Sequence, residues 1–294
     1  MLTYARMATT EQTGTLRVPP RARPGSLALV RDGLVEIWSR RRLARYLVQA
    51  ELTAKGADTL LGNIWWVLDP LLQMAVYVVL VTVISGKTTA DYPLFIFSAI
   101  LPWKWFASTV NDATTSVVSR EKIIKQVHFP KIVLPFAASL SGIVNFGFGL
   151  VALAGLLFLF YAHRASPTLL FIPVIAAVQF VFTLAVAIVV SGVNVFYRDV
   201  GNVMRHILRL WFYLSPGLYS AKQLAQIADQ HPTVSAALGF NPFTVLFESY
   251  RGAIYDGVAP SLSALGVLLG VSLILLAIAI LLFKRVEPAF AKVL

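Results

Sequence analysis

Arg205 and Arg209 stand one helical turn apart, and Phe212, Pro216 and Tyr219 continue the same face. A guanidinium holds phosphate oxygens through a planar fork of N–H donors. Flat aromatic rings suit the C–H faces of sugars. The pattern therefore fits an anionic head joined to sugar units, with Tyr77 and Tyr213 as further aromatic candidates along the path. The competing reading is charge anchoring at a membrane surface plus helix packing.

Covalent chemistry finds little support. His128, His163, His206 and His231 are scattered without metal-ligand spacing, and the chain has no cysteine for a thiolate site or a disulfide. Asp69, Asp112 and Asp199 are dispersed, and no nucleophile stands beside a base. A membrane glycosyltransferase or carrier-lipid enzyme needs acidic residues gathered near one face. Gly86-Lys87-Thr88 imitates the end of a phosphate-binding loop, but Val81 stands where that loop needs its first glycine. No catalytic residue, metal ligand or cofactor is therefore assigned to this chain.

A second group of residues suits contact rather than chemistry. In 119–131, Arg120, Lys122, Lys125 and Lys131 alternate with Ile123, Ile124, Val127 and Phe129, beside His128 and Pro130. A short basic amphipathic helix of this kind lies at a membrane surface and is open to a partner.

The elements that position these groups are membrane spans. Hydrophobic residues are 57% of the chain and charged residues 13%, about half the charge of a soluble domain. Apolar runs long enough to cross a bilayer place spans at Ile64–Ser85, Tyr92–Asn111, Val133–Tyr161, Thr168–Val193, His206–Ser220 and Leu262–Phe283. The fifth is short and broken by Ser215-Pro216-Gly217, a break tolerated only where protein or water satisfies the freed backbone. Gly266 and Gly270 give the sixth a small-residue packing motif. Lys104 falls inside the second span and needs water, a partner charge or the membrane surface.

Charge sets the orientation. The formal charge is +11, and 20 of the 25 Lys and Arg fall before Trp65, in 112–132, in 194–209 or in 284–294. The alternate loops hold only Lys87, Arg164, Lys222 and Arg251. This bias predicts both termini in the cytosol and attraction to anionic lipid, and it makes nucleic acid a poor partner.

Four segments complete the plan. Residues 1–25 read as a disordered cytosolic tail, 26–63 as an amphipathic interface helix, 64–283 as the six-span domain and 284–294 as a cytosolic tail. Asp69-Pro70 has the form of a helix cap with proline in the first turn, predicting a kink or fresh start there. Leu238–Phe247, containing Asn241-Pro242, is too short to cross and is expected as a re-entrant or interfacial outer helix. Glu248 and Arg251 follow it at pairing distance and make, with Asn241 and Pro242, a candidate outer gate. The fold class is thus an all-α membrane protein of six spans, with an interface helix, a coupling-type helix and short re-entrant outer helices.

In this order, Leu61-Gly62-x-x-Trp65-x-x-Leu68-x-Pro70, His128-Phe129-Pro130-Lys131, Tyr197-Arg198-Asp199 and Asn241-Pro242 with Tyr250-Arg251 resemble the ABC-2 permeases that export polysaccharides. That group handles O-antigen, capsule, teichoic acid and galactan. The likeness runs from about Asp32 to the last residue. It implies a homodimer in the bacterial inner membrane, joined by two copies of a separate ABC ATPase that carry the ATP and Mg. It also implies that 119–131 is the coupling helix, and that the cargo is a glycan on a polyprenyl diphosphate. Asp69, Pro70, Tyr197, Arg198 and Asp199 are candidate gate or structural positions; Arg205 and Arg209 are not specified by the family pattern. A drug or small-lipid exporter of the same topology is the alternative.

Overall fold

The computed structural model describes residues 25–56, 61–85, 91–127, 129–217 and 239–294, and among them no strand occurs. His128 and Tyr219, both named above, lie outside the described residues.

Two amphipathic helices open the chain, α1 (Ser26–Ser39) and α2 (Arg41–Gly56). The run Arg40-Arg41-Arg42 marks the break between them, and Trp38 and Tyr46 stay exposed, as rings at headgroup level do. Then follow α3 (Trp65–Ser85), α4 (Tyr92–Ser116), α5 (Glu121–Gln126), α6 (Val133–Phe160), α7 (Ile172–Phe196), α8 (Val200–Leu214), α9 (Pro242–Arg251) and α10 (Leu262–Val293).

Among the described residues five helical segments are long and apolar enough to cross a membrane, based on α3, α4, α6, α7 and α10. The expected fifth span differs. Its helix starts at Val200, six residues earlier than read, and ends at Leu214 after 15 residues. The start moves because the turn at Tyr197–Asp199 is tight: buried Asn194 accepts the Gly201 N–H at 3.1 Å, so the next helix begins at once.

α4 is the centre of the bundle. Its apolar residues point all round, and α3, α6, α7, α8 and α9 pack about it. A helix without a polar face is stable only when enclosed. Trp103, Phe106, Phe212, Phe243 and Phe247 form one aromatic cluster across α4, α8 and α9, with ring centroids 4.7–6.5 Å apart. α3 is the opposite case, with only 6% of its membrane-spanning window buried inside the protein.

Glycines set the closest helix contact. A Cβ on Gly142 would lie 2.0 Å from Thr109 Oγ1, and one on Gly149 would lie 2.1 Å from Leu101 Cδ1. These two glycines, seven apart on α6, let it sit against α4. A Cβ on Gly266 or Gly270 would meet nothing within 4 Å, so among the described residues no helix packs closely on the motif read in the last span.

Two further readings change. Asp69-Pro70 does not start a helix: α3 begins at Trp65, after a tight turn in which Gly62 has φ +50°, and Pro70 lies in its interior. The stretch 284–293 continues α10, and Phe290 and Leu294 are buried.

Candidate functional site

Three groups of side chains carry the candidate functions, and the bundle places them at different levels. The first is the short helix α5. A 3-10 turn, Val118–Arg120, leads into it, and Arg120 donates to the Ser116 carbonyl at 3.1 Å. Ile124 is buried in a cluster with Ile37, Val117, Ile132, Ile280 and Phe283, against which Phe129 packs. Lys122, Ile123, Lys125 and Val127 face outward. So Ile124 is the anchor of this helix, and the basic and apolar groups beside it form its free face. Lys131 and Pro130 are half-buried at its exit.

Glu121, which the sequence reading passed over, joins this helix to the α7–α8 turn. It takes Lys125 Nζ at 2.6 Å and Arg198 Nη2 at 3.7 Å. Tyr197, Arg198 and Asp199 are all exposed around that contact. Two motifs whose joined residues, 121 and 198, are 77 apart in sequence are therefore neighbours.

The same end holds a partly buried charge junction. Lys284 donates to both Glu36 oxygens at 2.9 and 2.8 Å and to Glu287 Oε2 at 2.7 Å. Glu287 Oε1 accepts the Lys131 N–H at 2.6 Å. α1, α10 and the segment after α5 thus share one ionic knot. Buried charges hold only when paired and fully hydrogen-bonded, and here each acid has a donor. Gly33 permits the close approach, since a Cβ there would meet Ile280 Cγ2 at 2.4 Å.

The second group lies along α8. Arg205 and Arg209 are exposed, and Arg205 donates to Asn202 Oδ1. Phe212 and Pro216 are buried instead. The face read as continuous therefore divides: its arginines stand at the open end and its aromatic part enters the core. Tyr77 lies against Phe212 with the rings tilted and their centroids 5.8 Å apart, while Tyr213 is exposed.

The third group surrounds α9. Asn241 caps that helix by accepting the Phe243 N–H at 3.0 Å; its Oδ1 also takes Trp211 Nε1 at 3.1 Å, and its Nδ2 donates to Ser215 Oγ at 2.8 Å. Pro242 fills the first turn, where a missing N–H costs nothing. Glu248 is exposed, whereas Arg251 is buried and donates to the carbonyls of Pro216 at 3.2 Å and Gly217 at 3.0 Å. Its guanidinium sits 3.9 Å from the Phe95 ring centre. The short helix is packed within the bundle, with Phe243, Leu246 and Phe247 fully enclosed.

Beyond α4 on this side, Asp91 takes Arg164 Nε at 2.9 Å and His163 Nε2 at 3.0 Å. These hydrogen bonds, from His163 first and Arg164 next, hold the Asp91 carboxyl below its ordinary range. Arg164 also lies over the Tyr255 ring at 4.6 Å.

In the spans, Asp69 pairs with Lys104 across α3 and α4. This is the partner charge that Lys104 requires, and it replaces the capping role read for Asp69. Lys55 in α2 reaches Asp112 at 2.6 Å and Glu51 at 3.3 Å. Burial pulls the Lys55 ammonium down, the two carboxylates push it up, and the balance is upward. Among the described residues no cluster of His, Cys, Asp and Glu could hold a metal ion.

Such a bundle, with its outward basic helix and internal ion pairs, defines a multi-pass helical membrane protein. The chain belongs to the O-antigen export permeases, within the ABC-2 permeases of polysaccharide exporters. It is 33% identical over 259 residues to the O-antigen export system permease protein RfbA of Myxococcus xanthus, covering 87% of this chain and 97% of that protein. Two permeases of the same name from Klebsiella pneumoniae are each 25% identical, over 248 and 252 residues, covering 84% of this chain and 93% of theirs. No family model matches the chain.

Proposed function

We propose that this chain is the membrane-spanning subunit of an ATP-driven ABC exporter that moves a polysaccharide, carried on a polyprenyl diphosphate, from the cytosol to the outer face of the inner membrane. It pairs with itself and binds two copies of a separate ATPase, which hold the ATP and Mg. Both termini lie in the cytosol.

The observation that carries this reading is the build of α5. Its anchor, Ile124, is buried in a cluster shared with α1 and α10, while Lys122, Ile123, Lys125 and Val127 are left free. A push on the free face is passed to those helices through packed atoms. Closure of the motor on ATP favours one arrangement of the bundle, and the difference in motor contact between states supplies the work. Exposed Arg205 and Arg209 lie on the same side and supply donors for a diphosphate.

Co-purification from native membranes tests the reading. An ABC ATPase together with a polyprenyl-diphosphate glycan is the expected result. An ATPase without glycan-lipid turns the reading to a drug or small-lipid exporter, and no ATPase removes it.

A further inference from the structure

Between α2, α3, α4 and α6 lies a cavity of about 340 Å³, at the small end of ligand pockets, which run from about 300 to 1,000 Å³. The rings of Trp65, Trp66, Trp105 and Phe146 stand in its wall. The charges there are already met. Lys104 pairs with Asp69, and Lys55 reaches Asp112 just outside the wall at 2.6 Å. No charge is left over to select an ion. Two other groups in the wall are not met. Trp105 is 3% exposed, and its Nε1 donor has no hydrogen-bond partner among the described residues. The Asn145 Oδ1 acceptor is likewise buried without one.

Such a wall asks for a neutral ligand that both donates and accepts. A hydroxyl group does both. Ser108 Oγ donates to the Trp105 carbonyl at 3.1 Å and can still accept. Asp69 is 61% exposed in a helix that crosses the membrane, where an ionised carboxylate is costly unless polar groups meet it. The rings add a second demand. An indole presents a flat apolar face, which suits the C–H face of a saturated ring. Phe212, on the α8 face read as aromatic, is 3% exposed, whereas Trp65 is 42% exposed and stands beside the unmet polar groups.

We infer that this cavity binds one neutral sugar ring, a unit of the glycan that the chain exports. Its hydroxyls accept from Trp105 Nε1 and donate to Asn145 Oδ1 and Asp69. Its C–H face lies on the indoles at the mouth. A phosphate brings a charge that no free cation here matches, and an ammonium brings one that no free carboxylate matches. The site is therefore distinct from Arg205 and Arg209, and it reads the sugar where they read the diphosphate. The inference rests on the exporter reading for the source of the sugar.

The test uses the full chain in phosphatidylcholine vesicles, free of sugar-based detergent. The probes are the methyl pyranosides of glucose, galactose and mannose, with glycerol, phosphate and ethanolamine as comparisons. Saturation-transfer NMR, with empty vesicles as blank, reads contact with the ring C–H protons and gives Kd by titration. At least one pyranoside is expected to saturate and glycerol is not. Asn145→Leu should raise that Kd about two- to tenfold, the worth of one neutral hydrogen bond. Trp65→Leu, at an exposed position, should reduce the transfer to ring protons. Arg205→Ala with Arg209→Ala should leave both unchanged. No saturation by any of the three sugars overturns the inference, as does displacement by phosphate or ethanolamine, or a Kd and transfer that survive both cavity variants. If sugar binding fails while glycan-lipid and ATPase still co-purify, this site falls and the exporter reading stands. If sugar binds saturably to a chain that brings down no glycan-lipid, the exporter reading falls and the site stands as a sugar site.

Discussion

The buried guanidinium of Arg251 donates to the carbonyl of Pro216, at 3.2 Å, and so closes the break that ends α8. A proline and a glycine in succession free backbone groups that lipid cannot satisfy. Arg251 supplies a donor to both carbonyls there, reaching Gly217 at 3.0 Å.

Arg251→Leu should therefore lower stability. A buried acceptor that loses its donor costs about 1–3 kcal/mol, and here two lose the same one. Thermal melting of the purified chain checks this. A melting temperature equal to that of the parent would show that the break needs no such support.

Gly142→Ala and Gly149→Ala should differ. The new methyl at 142 strikes Thr109 Oγ1, on a short, stiff side chain; at 149 it strikes the far end of Leu101. Overpacking costs about 1–3 kcal/mol, so Gly142→Ala belongs at the upper part of that range and Gly149→Ala at the lower. Melting of the two variants side by side gives the order, and equal losses would contradict it.

Glu121→Gln separates stability from coupling. It removes the acceptor shared by Lys125 and Arg198, both partly exposed, and solvent and salt screen such surface pairs so that they add little to stability. Melting should hardly move. If α5 is the motor contact proposed above, stimulation of the ATPase by substrate should fall. Unchanged stimulation would leave the Glu121 link without a role in transmission.

The Asp91 tether predicts a pH response on the side opposite α5. Its folded carboxyl lies below the ordinary 3.8, so its contribution is complete above that value. The contribution is lost as pH falls through the lower, folded value. Asp91→Asn should flatten the acid limb of a melting-temperature profile and leave the neutral region parallel to the parent. Identical acid limbs would dismiss the tether.

How much of this was legible depends on whether a signal was local. The alternation of basic and apolar residues in 119–131 is local, and it marked the surface helix. Lys104 announced a need for a counter-charge, yet nothing near it in sequence named Asp69. The Asp69-Pro70 pair pointed instead to a cap, because cap chemistry is local and the ion pair is tertiary. Glu121 and Glu287 escaped notice for the same reason: besides a lysine in its own helix, each meets a group from elsewhere in the chain, Arg198 for Glu121 and the Lys131 N–H for Glu287. Gly266 and Gly270 carried a recognised packing spacing, but Gly142 and Gly149 make the contact, since a spacing does not say which helix will come to meet it.

The ionic knot of Glu36, Lys284 and Glu287 has a consequence in time. The Lys131 N–H finds its acceptor 156 residues later in the chain, and Glu36 waits 248 residues for Lys284. While the ribosome is still making the middle helices, the base beneath α5 is unfinished. Only after position 287 has emerged does that surface gain its final shape. If α5 is the motor contact proposed above, a half-made chain offers it no proper seat, and assembly waits for chains whose synthesis has passed that point.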